Sequence, residues 1–340
     1  MILPCLLIFL SASFVLAADD ARTNPPSSDP IAQRLKSLEE SLSFIEQKLT
    51  KHIDDLIWFR ALDDVAQIGR VRYTGPPPRS GSGTHTAAAS NEVIISAYTF
   101  LPKKYLSRRK IPLLLFVHPE IHGEARPEEE AHIIRELIEQ GYAVIAPDYR
   151  GSVGYGGDFW RLIDYGGLET EDVFAGKQWM VEHYRNIDPQ RVGILGWSHG
   201  GLITLMNIFE HPAAYQVAYA GAPVCDLAAR LAYMGEDYAE LFSAPYHLGK
   251  TPAQDPEEYR RRSPISQAAK LQTPLLLHAN TSDEDVRFVE IEHLLGALQA
   301  AGKKFEHKIY TNAPGGHYFN RLDTRFAKES RAEVYRYLAR

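Results

Sequence analysis

The chain is 340 residues long, 45% hydrophobic and 24% charged, with a formal net charge of -6. That composition fills an ordinary core, and its acidic balance, interrupted only by the short runs Arg108-Arg109-Lys110 and Arg260-Arg261-Arg262, speaks against nucleic acid as a partner. Of the two cysteines, Cys5 lies in the apolar leader, so Cys225 stands alone beyond it and an internal disulfide is excluded.

Residues 1–17 are almost uncharged and apolar, and Val15 and Ala17 suit the small-residue positions of a signal-peptidase site. The stretch reads as a cleaved secretion signal, which places the protein outside the cell or in a periplasm. It has no basic residues at its start, so an uncleaved signal that anchors the chain in a membrane is the alternative. Cys5 follows Pro4, which does not fit a lipoprotein processing site.

Residues 18–75 read as a helical N-terminal segment. From Ile31 to Ile57 apolar residues recur at 31, 35, 38, 42, 45 and 49, in alternating steps of four and three, before the step slips at Ile53. This is a long amphipathic helix. Two readings stay open: a helix lying on its own catalytic domain, which is the preferred one, or a coiled-coil seam that makes a homodimer through residues 31–57. Residues 76–90, with Pro76-Pro77-Pro78 and a run of small polar residues, read as an irregular connector. A catalytic domain over 91–340 follows.

Within it, Val93 to Phe100, Leu113 to Val117, Ala143 to Ala146, Val192 to Leu195, Pro274 to His278 and Phe305 to Tyr310 are the expected strands. Helical patterns alternate with them: Glu128 to Gln140, Glu169 to Arg185 and Val286 to Ala301, each followed by a glycine or proline stop signal. Alternation of this kind predicts an α/β fold with a mostly parallel, doubly wound sheet and a ligand site at the carboxyl ends of its strands. Asp226 to Arg262, rich in tyrosine and charge, is expected to form a cap over that site.

The hexapeptide Gly196-Trp197-Ser198-His199-Gly200-Gly201 follows the apolar strand Val192 to Leu195, and Leu202, Leu205, Met206 and Phe209 continue behind it with helical spacing. It reads as a nucleophile elbow, a sharp strand-to-helix turn that presents Ser198, with glycines leaving room for the turn. Hydrolysis by serine needs a base and a carboxylate to orient it, following in the order Ser, acid, His. Asp283 lies 85 residues beyond Ser198, in a polar turn after one strand, and His317 lies 34 residues further, in a glycine-flanked loop after the next. Asp285 competes with Asp283; its position nearer the following helix makes it the expected cap and leaves Asp283 to face the histidine. For the substrate oxyanion, the backbone N–H of His199 is one expected donor. The second is the N–H of Glu120, because Pro119 has none.

Together the elbow, the segment Asp148-Tyr149-Arg150-Gly151-Ser152 to Gly156, the approach from Ser263-Pro264-Ile265 to Thr273-Pro274-Leu275-Leu276-Leu277-His278, the Asp283-to-Val286 step and Gly316-His317 resemble the prolyl oligopeptidase family of serine peptidases over roughly 91–340. The resemblance implies an α/β-hydrolase fold with Ser198, Asp283 and His317 in the catalytic positions, and the three-residue step from aspartate to valine selects Asp283 over Asp285. Family members with well-understood peptidase activity usually carry an N-terminal β-propeller, where this chain offers a helical segment. The loop usually read His-Gly-Gly is here His118-Pro119-Glu120.

The resulting expectation is an exported serine hydrolase that cleaves peptide or amide bonds through an acyl-enzyme on Ser198. A carboxylesterase acting on small or carbohydrate-borne esters is the alternative, and a non-catalytic binding protein on a hydrolase fold is the rival from another class. No metal or nucleotide cofactor is expected. Pro119 breaks the helix that a metal-binding pair of His118 and His122 would need, and Gly151, Gly154 and Gly156 miss the dinucleotide spacing.

Overall fold

The computed structural model describes residues 30–79, 91–107, 110–245 and 247–340. The secretion-signal reading of residues 1–17, and all but the first residues of the 76–90 connector, lie outside the described residues. The chain divides into two units, Met1–Leu42 and Ser43–Arg340. Of the first, the described part is the start of one long helix.

Eight strands form a single sheet: β1 (Ala66–Gly75), β2 (Val93–Pro102), β3 (Ile111–Val117), β4 (Ala143–Asp148), β5 (Ile187–Trp197), β6 (Val217–Gly221), β7 (Leu275–Asn280) and β8 (Glu306–Tyr310), in the order 1-2-4-3-5-6-7-8. β1 pairs antiparallel with β2 and β2 with β4, whereas every pairing from β4 through β8 is parallel. The helices are α1 (Pro30–Leu62), α2 (Pro127–Glu139), α3 (Gly157–Trp160), α4 (Leu168–His183), α5 (Ser198–Glu210), α6 (Leu227–Met234), α7 (Glu236–Ser243), α8 (Pro256–Arg261), α9 (Pro264–Gln267), α10 (Phe288–Ala300) and α11 (Arg325–Leu338).

Because side chains alternate across a strand, the apolar strands feed two cores. Leu113, Leu115 and Val117 of β3 join Ile145, Ile194, Ala220 and Leu277 on one face, where α4, α5 and α10 pack. Leu114 and Phe116 join Val144, Leu195, Trp197 and Leu276 on the other, under α2 and α11. This is the doubly wound α/β-hydrolase architecture. The strand ends that matter for chemistry follow from it, since β3 to β8 are parallel and point their carboxyl ends to one edge.

Two elements differ from the sequence expectation. Residues 66–75, expected within the helical segment, form β1, paired along its whole length with β2. One side of β1 is partly exposed, and its polar residues hide the alternation that marks a strand. β6 has only five residues, too few to show any period.

The C-terminal half of α1 does lie on the catalytic body, but not by its apolar stripe. Lys51, Asp54, Trp58 and Leu62 are buried there, Trp58 against Tyr98 and Phe100 at ring-centre distances of 5.7 and 4.9 Å. Lys51 reaches Asp148 at the end of β4 at 2.8 Å and also pairs with Glu124. Ile45, Leu49, Leu56 and Phe59 of the stripe remain exposed.

Candidate active site

β5 runs into α5 without a spacer, so the chain reverses direction at Ser198 itself. Its φ of +53° is a left-handed conformation that a serine adopts only under constraint. The crowding at the turn explains its glycines: a Cβ on Gly196 would sit 2.3 Å from the carbonyl oxygen of Gly200, and one on Gly200 only 2.4 Å from that of Val117. The serine is held 7% exposed, at the end of β5 and the start of α5.

Asp283 follows β7 and His317 follows β8, the strands two and three places along the sheet from β5. His317 Nδ1 and Asp283 Oδ2 are 2.7 Å apart, with both residues buried. The other carboxylate oxygen, Oδ1, accepts the backbone N–H groups of Asp285 at 2.9 Å and Val286 at 2.8 Å. The expected division of labour between the two aspartates is therefore different from the observed one. Asp283 both ties its own turn and faces the imidazole, while α10 begins at Phe288 without a side-chain cap.

Asp285 instead accepts a hydrogen bond from Arg230 Nη2 at 2.7 Å, and its Oδ2 lies 3.5 Å from His317 Nε2. Burial pushes the Asp285 carboxyl up, but Arg230 and His317 outweigh it and hold the group below the usual carboxylate value. Arg230 belongs to α6, within the segment 226–262 expected as a cap, and is buried among Tyr233, Tyr238 and Glu290. Sequence spacing gave no sign of this contact, because nothing in the 226–262 stretch marks which of its charges meets the histidine loop.

A further residue was not singled out by the sequence reading. Asn280, the last residue of β7, is 1% exposed. Its Nδ2 donates to the carbonyl oxygens of Ala313 at 3.1 Å and Gly316 at 2.9 Å, while its Oδ1 accepts from the Ala313 N–H at 2.9 Å. One amide side chain thus clamps the loop that carries His317. A strand-terminal asparagine next to a polar turn is the one signal that could have marked it.

The expected oxyanion donors are placed differently. The His199 N–H donates to the carbonyl oxygen of Pro119 at 3.1 Å. The Glu120 carbonyl accepts from the Tyr149 hydroxyl at 2.7 Å, fixing the other side of the loop. As it stands, the amide expected to receive a substrate oxygen is occupied by the protein's own carbonyl.

Around this loop burial keeps the histidines neutral. The pKa of His118 and of His122 is pushed down to about 3. His118 Nε2 contacts Ser152 Oγ at 2.9 Å, and His122 Nδ1 donates to the Gly151 carbonyl at 2.8 Å while its ring stacks on Trp160. A neutral His122 ring carries that proton on Nδ1. Both rings serve as struts for the Asp148-to-Gly156 segment.

The arrangement supplies a serine on a strained turn, an imidazole oriented by a carboxylate, and a charge-rich flank, at the carboxyl ends of the parallel strands β5, β7 and β8. That is the equipment for acyl transfer. The sequence profile of the prolyl oligopeptidase family matches residues 130–340. The uncharacterized peptidase YtmA of Bacillus subtilis is 31% identical over 189 residues, covering 55% of this chain and 68% of its own. Human dipeptidyl peptidase 8 is 32% identical over 212 residues, or 59% of this chain and 22% of its own, and the uncharacterized peptidase YuxL of Bacillus subtilis is 27% identical over 228 residues, or 66% and 34%. The chain thus spans about a third of the length of one of these two longer relatives and about a fifth of the other. Among solved structures, a puromycin-hydrolyzing peptidase of Mycobacterium tuberculosis matches with a TM-score of 0.65 at 22% identity, over 81% of this chain and 39% of its own. The acylaminoacyl peptidase of Pyrococcus horikoshii matches with a TM-score of 0.64 at 18% identity, over 80% and 41%. Sheet order, elbow and profile agree, and the chain belongs to the prolyl oligopeptidase family of serine peptidases.

Proposed function

We propose that this protein is a serine peptidase in which Ser198 is the nucleophile, His317 the general base and acid, and Asp283 the carboxylate that orients the imidazole. The observation that carries the proposal is the 2.7 Å contact between His317 Nδ1 and Asp283 Oδ2, made by two loops that follow β7 and β8, two and three strands along the sheet from the strand that ends in Ser198. That contact fixes the tautomer with the proton on Nδ1 and leaves Nε2 to accept from the serine hydroxyl.

In the reaction, the Ser198 oxygen forms a bond to the scissile carbonyl carbon as its proton passes to His317 Nε2. The tetrahedral intermediate collapses when the C–N bond breaks and the leaving amine takes that proton. Water, deprotonated by the same nitrogen, then hydrolyses the acyl-enzyme and frees Ser198. Asp285 adds a second negative charge near the imidazolium that forms in each half-reaction.

The oxyanion must be received by the His199 amide, and this requires the Pro119–Glu120 peptide to turn. Its carbonyl oxygen and the Glu120 N–H point in opposite directions within one rigid plane. Rotation of that plane withdraws the oxygen from His199 and swings the Glu120 N–H toward the vacated position, so one movement frees the first donor and supplies the second.

Export is part of this reading and rests on the apolar stretch 1–17 alone. Among the described residues no helix is long and apolar enough to cross a membrane. The N-terminal sequence of protein recovered from its native source checks it.

The decisive experiment compares peptidyl anilides with short acyl esters on the full chain and on Ser198→Ala, alongside labelling by a fluorophosphonate. Labelling and anilide turnover that vanish in the variant are expected. Turnover of esters alone would make the protein a carboxylesterase, and no labelling of folded wild type would leave a binding protein on a hydrolase scaffold.

A further inference from the structure

Helix α1 carries a seven-residue repeat that the catalytic site does not use. Leu35, Leu42, Leu49 and Leu56 recur at one heptad position, written a, and Ile31, Leu38, Ile45, His52 and Phe59 at the position d three residues on. The repeat therefore continues past the slip at Ile53 to the end of the helix, with His52 as its one polar member. A strict seven-residue spacing over one unbroken helix is the pattern of a supercoiled seam rather than of a helix resting on a sheet.

The structure removes the usual occupant of such a stripe. The helix already spends its opposite face on its own domain, through Lys51, Asp54, Trp58 and Leu62. The side chains of Ile45, Leu49, Leu56 and Phe59, by contrast, are 53, 58, 71 and 50% exposed. Large apolar residues in a contiguous row at that exposure mark an interaction surface. The body cannot cover them without giving up the Trp58 face, since the two faces point in nearly opposite directions around the helix.

We propose that this stripe binds the same stripe of a second copy of the chain, as a parallel two-stranded coiled coil. Charge favours this occupant and this direction. In a parallel in-register pair, position g of one chain faces position e of the next heptad of the other, which sets Arg34 opposite Glu39, with no like charges facing. The antiparallel arrangement centred on the same stripe brings Glu39 against Glu46. His52 meets its own copy only in the parallel in-register pair, and a shift by one heptad would bury it against Ile45 or Phe59.

Size is sufficient as well. The 33-residue helix runs about 50 Å at 1.5 Å per residue and is about 10 Å wide, so the seam buries on the order of 1,000 Å² over both chains, the threshold of a specific interface. Leu at a with Ile at d inclines free helices toward three or four strands. Here the g flank of the C-terminal half is already engaged, with Leu62 buried and Asp55 bonded to Arg70 and Tyr98. The strip left over accommodates one partner.

Sedimentation equilibrium of the full chain at tens of micromolar tests the proposal, with wild type beside the double variant Ile45→Glu, Leu49→Glu. A mass of two chains for wild type and one for the variant is expected, with unchanged far-UV circular dichroism and unchanged fluorophosphonate labelling, because both side chains are exposed. A monomeric wild type, a mass of three or four chains, or a dimer that survives the double substitution would overturn it. Direction is read separately from Leu56→Cys with a short bismaleimide. A parallel seam yields cross-linked dimer beyond the wild-type background, and its absence in a dimeric variant overturns the parallel arrangement.

Discussion

The amide of His199 and the carbonyl of Pro119 are hydrogen-bonded at 3.1 Å, directly beside the serine elbow. In the mechanism proposed above, this bond closes the position that a developing oxyanion would take. Preorganised donors at such a position are worth a factor of 10²–10³ each in kcat, so under that proposal one bond is exchanged for another in each turnover. Replacing Glu120 by proline removes the N–H that the turned peptide would present. Glu120→Pro is expected to lower kcat about 10²-fold or more while fluorophosphonate still labels Ser198 slowly; unchanged kcat in steady-state assays would show that the loop amide takes no part.

Asp283 spends one oxygen on His317 and the other on the backbone of its own turn. Asp283→Asn keeps an acceptor for the turn but presents the wrong hydrogen-bonding pattern to the imidazole. The expected result is a loss of about 10⁴ in kcat with the fold intact, measured by anilide hydrolysis together with the thermal transition.

The carboxylate of Asp285, held below its ordinary value by Arg230 and His317, is ionised through the neutral range and stands 3.5 Å from His317 Nε2. A negative charge there stabilises the positive charge that develops on His317 in the proposed reaction. Asp285→Asn is therefore expected to lower kcat about tenfold or more, the worth of a unit charge at this separation, with KM little changed in anilide hydrolysis. An unchanged kcat would contradict the contact.

Asn280 holds three backbone groups of the histidine loop. Asn280→Ala strands these buried groups, and the expected loss of stability is about 3 kcal/mol, since each unsatisfied buried group costs about 1–3 kcal/mol. As a positioning residue it also affects turnover: kcat should fall more than KM rises, and Asn280→Asp, which can restore only the acceptor half of the clamp, should recover little.

Lys51 joins α1 to Asp148 and Glu124 in a buried cluster. Burial pushes the Asp148 carboxyl up, yet Lys51, by its charge and its hydrogen bond, together with the Tyr155 hydroxyl, outweighs it and leaves the group below its ordinary value. Its contribution to stability is therefore complete above the ordinary carboxylate range and is lost as pH falls through the lowered folded value. Lys51→Ala leaves the buried Asp148 carboxylate without its cation, while Glu124 keeps only Arg126 at 3.7 Å, and should destabilise the fold by about 3–5 kcal/mol, read from urea unfolding at neutral pH.

What the chain determines locally was legible in its residues. Six strands, the elbow glycines, the order serine, acid, histidine and the long amphipathic α1 all follow from apolar runs, turn chemistry and helical spacing, which depend only on neighbours in sequence. β1 and β6 did not follow, because the first owes its pairing to β2 across the connector and the second is too short to carry a period. The dual hold of Asp283, the clamp by Asn280 and the meeting of Arg230 with Asp285 join residues up to 55 positions apart. Only the closing of the sheet brings such groups within hydrogen-bonding distance, and a hydrogen bond has no signature in the sequence of either partner. The same holds for α1: its heptad was readable, but which of its two faces the domain would take was decided by Trp58 and Lys51 finding Phe100 and Asp148 on a surface that exists only after folding.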